Sequence, residues 1–273
     1  MWVKERDAEL WKGQGVQICR LAYHAERYPW SDPFVSNDNG VVLARYGAYR
    51  RRSDGVEHLV DVNTGFYRRD GEEVSVANFT GEPEELTTIK FDAHVLESTL
   101  AEPALPTGPF LVMPDIDFAH RLLLREIRHD PDDLDIETRA VELLGSVLGQ
   151  QRTDLVRGTR PSTESSRRSL VNDACEVLHL HHGDISLRAL ARTVGCSPFH
   201  LSRVFREGTG CTISQYRLRR RVHEVLDRLA AGEDDLAALA IAVGFSDHSH
   251  MTRTVVAQLG EAPSALRRRL SPH

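Results

Sequence analysis

The spacing of apolar residues along this chain changes near Pro114. Before that point they fall in short runs, closely punctuated by Gly, Asp, Asn and Pro. Gly40–Tyr49, Glu57–Asn63, Gly65–Arg69, Glu73–Phe79 and Leu86–Phe91 read as strands of an antiparallel sandwich or barrel. Within YRRRSDGVEHL, Asp54-Gly55 suits the turn of a hairpin. After Pro114 the period becomes helical. Asp115–His129 sets Phe118, Leu122 and Ile127 near one face, and Asp135–Gln150 repeats Ile136, Ala140, Leu143, Leu144, Val147 and Leu148, with Asp132 and Asp133 ahead of it as caps. RGTRPSTESSRR, Arg157–Arg168, is polar and aperiodic, as a linker is. Beyond it everything reads as helix, beginning with Ser169–His181 and including the long Ile213–Ala231.

The expected fold class is α+β in two domains. Residues 1–156 form a β-barrel with two following helices, 157–168 a linker, and 169–273 an all-α domain.

The helical part contains a repeat. LRALARTVGCSPFHLSR (Leu187–Arg203) returns as LAALAIAVGFSDHSHMTR (Leu236–Arg253), with one residue inserted, and each copy reaches a glycine seven residues after its arginine, Gly210 and Gly260. Within a copy, Leu-x-x-Leu-Ala-x-x-Val-Gly is an amphipathic helix stopped by Gly195 or Gly244, which suit a left-handed C′ position. Ser197 or Ser246 is the expected N-cap of the next helix, and Pro198 fits its first position. Small Ala191 and Ala240 let the two helices cross closely. Two helices joined by a short Gly-containing turn form a helix-turn-helix, whose second helix enters the DNA major groove.

LARTVGCSPFHLSRVFREGTG, RLRRRVHEVL and LAALAIAVGFSDHSHMTRTVVAQLGEAPSALRR resemble the DNA-binding domain of the AraC/XylS family of bacterial transcription regulators. Met251 and Val255 depart from it, standing where that family commonly has phenylalanine. ARYGAYRRRSDG, LVDVNTGFYRRDGEEVSVA and TTIKF resemble, more distantly, the cupin-like effector domains of the same family. The resemblance implies double-stranded DNA as partner, a homodimer, RNA polymerase as a further contact, and a small organic effector. The matching positions on the first recognition helix are Phe199, His200, Ser202 and Arg203; on the second they are His248, Ser249, Thr252 and Arg253. Arg203 and Arg253 are the base-reading candidates, since a guanidinium spans guanine O6 and N7. Within the barrel, Tyr46, Tyr49, Tyr67 and Arg68 are expected to line an effector pocket, alongside inward Val42, Phe66, Val76 and Phe79. The alternative is an N-terminal domain that binds no ligand and serves only dimerisation or protein contact. On either reading the stripe Ile136, Leu143, Leu144, Val147 and Leu148 is the expected dimer seam, or else it covers the chain's own β-barrel.

Composition changes this picture little. With 41% hydrophobic and 27% charged residues over 273 positions, the chain can bury a core without staples. The net charge of −6 hides an asymmetry: from Ser165 onward there are 15 arginines, 11 acidic residues and no lysine. Arg217, Arg219, Arg220 and Arg221 spread around more than one helix face, and salt bridges to Glu224 and Asp227 are expected for some. Arg267, Arg268 and Arg269 suit phosphate contact or solvent. No signal peptide or membrane span is evident, so the expected location is cytoplasmic. Cys19, Cys175, Cys196 and Cys211 lack zinc spacing; Cys175 and Cys196 are expected buried and reduced. His24, His58 and His94 form no His-x-His pair, so neither a metal, a cofactor nor catalysis is expected. His179, His181 and His182 fit a helix C-terminus without a metal.

Overall fold

A computed structural model describes residues 4–23, 27–100, 104–129, 132–150, 161–182 and 184–270. The described residues of the N-terminal half hold ten strands, the last after a short helix: β1 (Lys4–Lys12), β2 (Val16–Tyr23), β3 (Phe34–Val35), β4 (Asn39–Tyr46), β5 (Tyr49–Ser53), β6 (Val56–Val60), β7 (Thr64–Arg68), β8 (Glu73–Ala77), β9 (Glu84–Phe91) and β10 (Pro109–Leu111). They pair antiparallel in two sheets, ordered β1-β2-β9-β4-β7-β10 and β3-β8-β5-β6. The five expected strand regions are all present. Asp54 (φ 51°) and Gly55 (φ 72°) turn the β5–β6 hairpin, both left-handed as a type I′ turn requires. β1 and β2 were not expected. KERDAELWK is dominated by charge, which a strand at a sheet edge tolerates.

Strand β4 is buried almost continuously because both faces of the large sheet are covered. Val42 and Ala44 face the small sheet, where they meet Tyr49, Val60, Phe66, Val74, Val76 and Leu86. Val41 and Leu43 point the opposite way, into a core with Ile18, Tyr67, Ile89 and the helices behind the sheet. Those helices are α1 (Ala93–Thr99), α2 (Pro114–Arg128) and α3 (Asp133–Gln150). The α3 stripe Ile136, Ala140, Leu143, Leu144 and Val147 is at most 2% exposed and belongs to this same core, with Leu148 packed against it. The stripe expected as a dimer seam is therefore spent on the chain's own sheet.

The helical part begins with α4 (Pro161–Leu180), so 161–168 of the expected linker is helix; 157–160 lie outside the described residues. Then come α5 (Leu187–Thr193), α6 (Pro198–Thr209), α7 (Ile213–Ala230), α8 (Leu236–Ala242), α9 (His248–Leu259) and α10 (Pro263–Leu270). The repeat survives in detail: α5 and α8 have 7 residues each, α6 and α9 have 12. Each copy has its own core. Ala174, Leu178, Leu190, Leu201, Phe205 and Tyr216 belong to the first; Val225, Leu229, Leu239, Met251, Val255 and Leu266 belong to the second. Met251 and Val255 are fully buried, so the departures from phenylalanine are changes of core volume. Cys19, Cys175 and Cys211 are buried, whereas Cys196 is half-buried, more open than expected. No described helix is long and apolar enough to cross a membrane.

Candidate nucleic-acid interface

Each reading unit is fixed by its turn. Gly195 (φ +73°) and Gly244 (φ +83°) follow the C-caps Val194 and Val243, where a side chain would strain the backbone. The next amides fold back, Cys196 N to Ala191 O and Phe245 N to Ala240 O, each at 2.9 Å. Ala191 and Ala240 are wholly buried at the crossings. Ser197 caps α6, its Oγ accepting from His200 N at 3.2 Å. The second helix differs from expectation: Asp247, not Ser246, is the cap, accepting from His250 N at 2.7 Å. That backbone bond comes first among the causes that hold the Asp247 carboxyl below its ordinary value. Ser246 Oγ instead bonds Asp247 and His250 Nδ1, both at 3.0 Å.

The eight expected DNA-facing residues lie on two outward helix faces. On α6, Phe199 is 81% exposed, Ser202 and Arg203 are exposed, and His200 is half-buried; Leu201, Val204 and Phe205 point into the core. On α9, His248, Ser249 and Arg253 are exposed, while Thr252 is half-buried and lies 3.4 Å from His248 Nε2. His250 packs edge-on to Phe245 at 5.3 Å, helping to seat the helix.

The α7 arginines do other work. Arg217 donates to Ile185 O and Arg220 to Leu178 O (3.0 Å), tying α7 to the first unit. Arg221 lies over Phe245 at 5.9 Å. Neither expected pairing within α7 appears among the described bonds; Asp227 instead receives Arg45 and Arg121 from the N-terminal region. Arg267 donates to Asp234 O at 3.0 Å, and Arg269 pairs with Glu261. His179, read as a helix-end residue, is buried and lies 2.8 Å from Glu82.

The four expected effector residues do not converge. Tyr46 is 41% exposed, while Tyr49 is buried between the sheets. Tyr67 points away, against Phe110 (ring centroids 4.9 Å) in the core behind the large sheet. Arg68 is paired with Asp38. Val42, Phe66 and Val76 do face inward, but Phe79 packs against the core of the first helix-turn-helix unit. The inter-sheet space also holds the Arg51–Glu72 ion pair (2.8 Å), with Arg51 4.5 Å above the Phe66 ring. A cleft of about 470 Å³ opens elsewhere, beside Lys12, Asn37, Asp38, Asp70, Lys90 and Asp92. Among the described residues no group of three His, Cys, Asp or Glu side chains could hold a metal ion. His24 lies outside them, His58 stacks edge-on to Phe66, and His94 is exposed.

Sequence reasoning missed the junction between the two halves. On one side Asn172 of α4 accepts from Leu59 N (3.1 Å) and donates to Glu57 O (2.9 Å), completing the edge of β6. Arg50 bonds Asp173 (3.0 Å) and Glu176, and the Tyr216 hydroxyl donates to buried Asp61 at 2.6 Å. On the other side α2 meets α7. Arg121 is held by Asp117 (3.0 Å) and donates to Asp227 (2.7 Å) and to His223 O (3.3 Å). His223 Nδ1 lies 2.8 Å from Asp117. Burial opposes the charge of Asp117, yet Arg121 and His223 hold its carboxyl far below the ordinary range. Charged residues on a helix usually signal a solvated face, so no pattern marks these as buried.

Residues 190–269 match the family of helix-turn-helix domains. Over 102 residues the chain is 28% identical to the probable transcription factor PqrA of Proteus vulgaris, covering 36% of this chain and 84% of that protein. It is 26% identical over 133 residues to the arabinose operon regulatory protein of Salmonella typhimurium, 48% of this chain and 46% of that one. An uncharacterized HTH-type transcriptional regulator of Staphylococcus aureus is 31% identical over 100 residues, 34% of this chain but 13% of the relative, so the chain spans only a small part of that protein. The paired units, their caps and these matches make the C-terminal region a helix-turn-helix domain, similar to those of the arabinose operon regulatory protein and PqrA.

Proposed function

We propose that this protein is a sequence-specific DNA-binding transcription regulator whose N-terminal half governs how its two readers engage DNA. The observation that carries the reading is the outward presentation of Phe199, Ser202 and Arg203 on α6 and of His248, Ser249 and Arg253 on α9. Such helices enter successive major-groove segments about 34 Å apart, so one chain reads a long asymmetric site. Arg203 and Arg253 act as base readers, and Ser202, Ser249 and Thr252 supply shorter polar contacts. A small organic effector acts through the N-terminal half by favouring one arrangement of the two halves over another. The second reading, an N-terminal half working through protein contacts alone, is favoured by the side chains packed between the sheets, Tyr49, Phe66 and Arg51 included. A dimer has to use a surface other than the α3 stripe.

Genome-wide capture of DNA fragments by the purified chain, with and without candidate metabolites, tests this. Enrichment of a sequence motif is expected. Recovery no different from bulk DNA would sink the regulator reading, and recovery indifferent to every metabolite would favour the contact-only N-terminal half.

A further inference from the structure

The two DNA-reading units have separate hydrophobic cores, and α7 contributes to both: Ile213 and Tyr216 to the first, Val222, Val225, Leu226 and Leu229 to the second. Within the helical half a single helix of 18 residues, about 27 Å long, joins the two units, so the angle between them rests on how each core seats on α7. The N-terminal half supplies another connection. Its small sheet grips the first unit through Leu59, Arg50 and Asp61, which reach the first core, α4 and Tyr216. Its α2 grips the second: Leu122 enters that core, Arg121 bonds Asp227 and the His223 carbonyl, and Arg125 donates to Arg269 O at 2.7 Å. Arg269 also lies 4.7 Å over the Phe118 ring.

We infer that the N-terminal half is a splint that sets the distance and rotation between the two recognition helices, so that the Arg50 and Arg121–Asp227 contacts determine which half-site spacing the protein accepts. A linkage closed at both ends limits the tilt and twist that seating on α7 alone leaves to each unit. The recognition faces stay exposed in this arrangement, so the splint does not shield DNA-reading residues; it fixes where they point. Adding one base pair between half-sites displaces the second by about 3.4 Å and turns it by about 34°. A splinted pair of readers cannot follow that change, whereas a pair joined by one helix can adapt. Asp117 and Arg121 satisfy each other within α2, so Arg121 keeps a partner when Asp227 is withdrawn, whereas Arg45 gives up its contact with Asp227.

This inference rests on the DNA-reading function proposed above. The test uses the full chain and a duplex obtained by selection from random sequence, compared with duplexes carrying one base pair more or fewer between the half-sites. The wild type is expected to lose at least about tenfold in affinity on either altered spacing. The Arg50→Ala/Asp227→Ala double variant is expected to keep its affinity for the selected duplex within about threefold and to lose less than about threefold on the altered ones. A thermal melt checks folding; should the double variant fold poorly, Tyr216→Phe removes the Asp61 bond while keeping the ring in the core. An unchanged tenfold penalty in a folded variant overturns the splint, as does a wild type indifferent to spacing. Failure of the wild type to enrich any duplex would instead overturn the DNA-reading function itself.

Discussion

Arg203 and Arg253 occupy matching positions on the exposed faces of α6 and α9, so their replacement by alanine is the direct probe of base reading. Each change is expected to cost about 1–3 kcal/mol on the selected sequence and much less on scrambled DNA. Equal losses on both would mean phosphate contact. Two titratable side chains, buried Glu84 and half-buried His58, give a separate residue-scale test. Burial raises the Glu84 carboxyl to about 8, against the bonds from Tyr28 and Asn78 that favour its charge. The folded state thus favours protonated Glu84, a contribution present below the ordinary 4.5 and lost as pH rises through about 8. Burial, with Arg168 and Arg51 nearby, lowers His58 from 6.5 to about 4, so its contribution is present above 6.5 and is lost as pH falls toward 4. Melting temperatures across pH should show Glu84→Gln gaining on the wild type between pH 5 and 8. A constant difference between the two would refute the assignment. Neither behaviour was legible in the sequence, because a Glu in EPEELTTIKF and a His in EHLV look solvent-facing until a second sheet covers them.

At the scale of elements, the helix-turn-helix pairs were legible almost to the residue, since their determinants are local. Glycine at a C′ position, small residues at a crossing and a capping side chain act within a few residues of one another. The exception at Ser246 is also local: Asp247 lies one residue closer to the helix and its carboxylate accepts the backbone amide. Asp247→Ala should therefore lower stability by urea unfolding more than Ser246→Ala does; the reverse order would restore Ser246 as the cap. The α3 stripe shows the limit of periodicity. Its apolar face predicts burial correctly but is silent on what buries it. Leu144 is fully buried against the chain's own sheet, so Leu144→Asp is expected to lower the melting temperature severely. A folded variant whose only change is a smaller sedimenting species would return the stripe to a dimer seam.

For the whole molecule, the division into a β-rich half and a helical half followed from the change of apolar period near Pro114, and the paired helix-turn-helix units followed from the repeat. Both are written in residues near each other in sequence, where spacing alone sets which side chains share a face. The joining of the halves is different. Asp61 meets Tyr216 across 155 residues and Arg121 meets Asp227 across 106, and nothing in either neighbourhood announces the other. Likewise Tyr67 and Tyr49 read alike as barrel-facing aromatics, yet strand register and the two-sheet topology send one behind the large sheet and the other between the sheets. The sequence by itself therefore determined the elements, the paired readers and their exposed faces, because capping, turn chemistry and helical periodicity are short-range. Only the tertiary structure decided which faces cover one another, which charges become buried partners and how the two readers are held. Those outcomes depend on long-range packing, in which the same polar residue is solvated or buried according to what the fold brings against it.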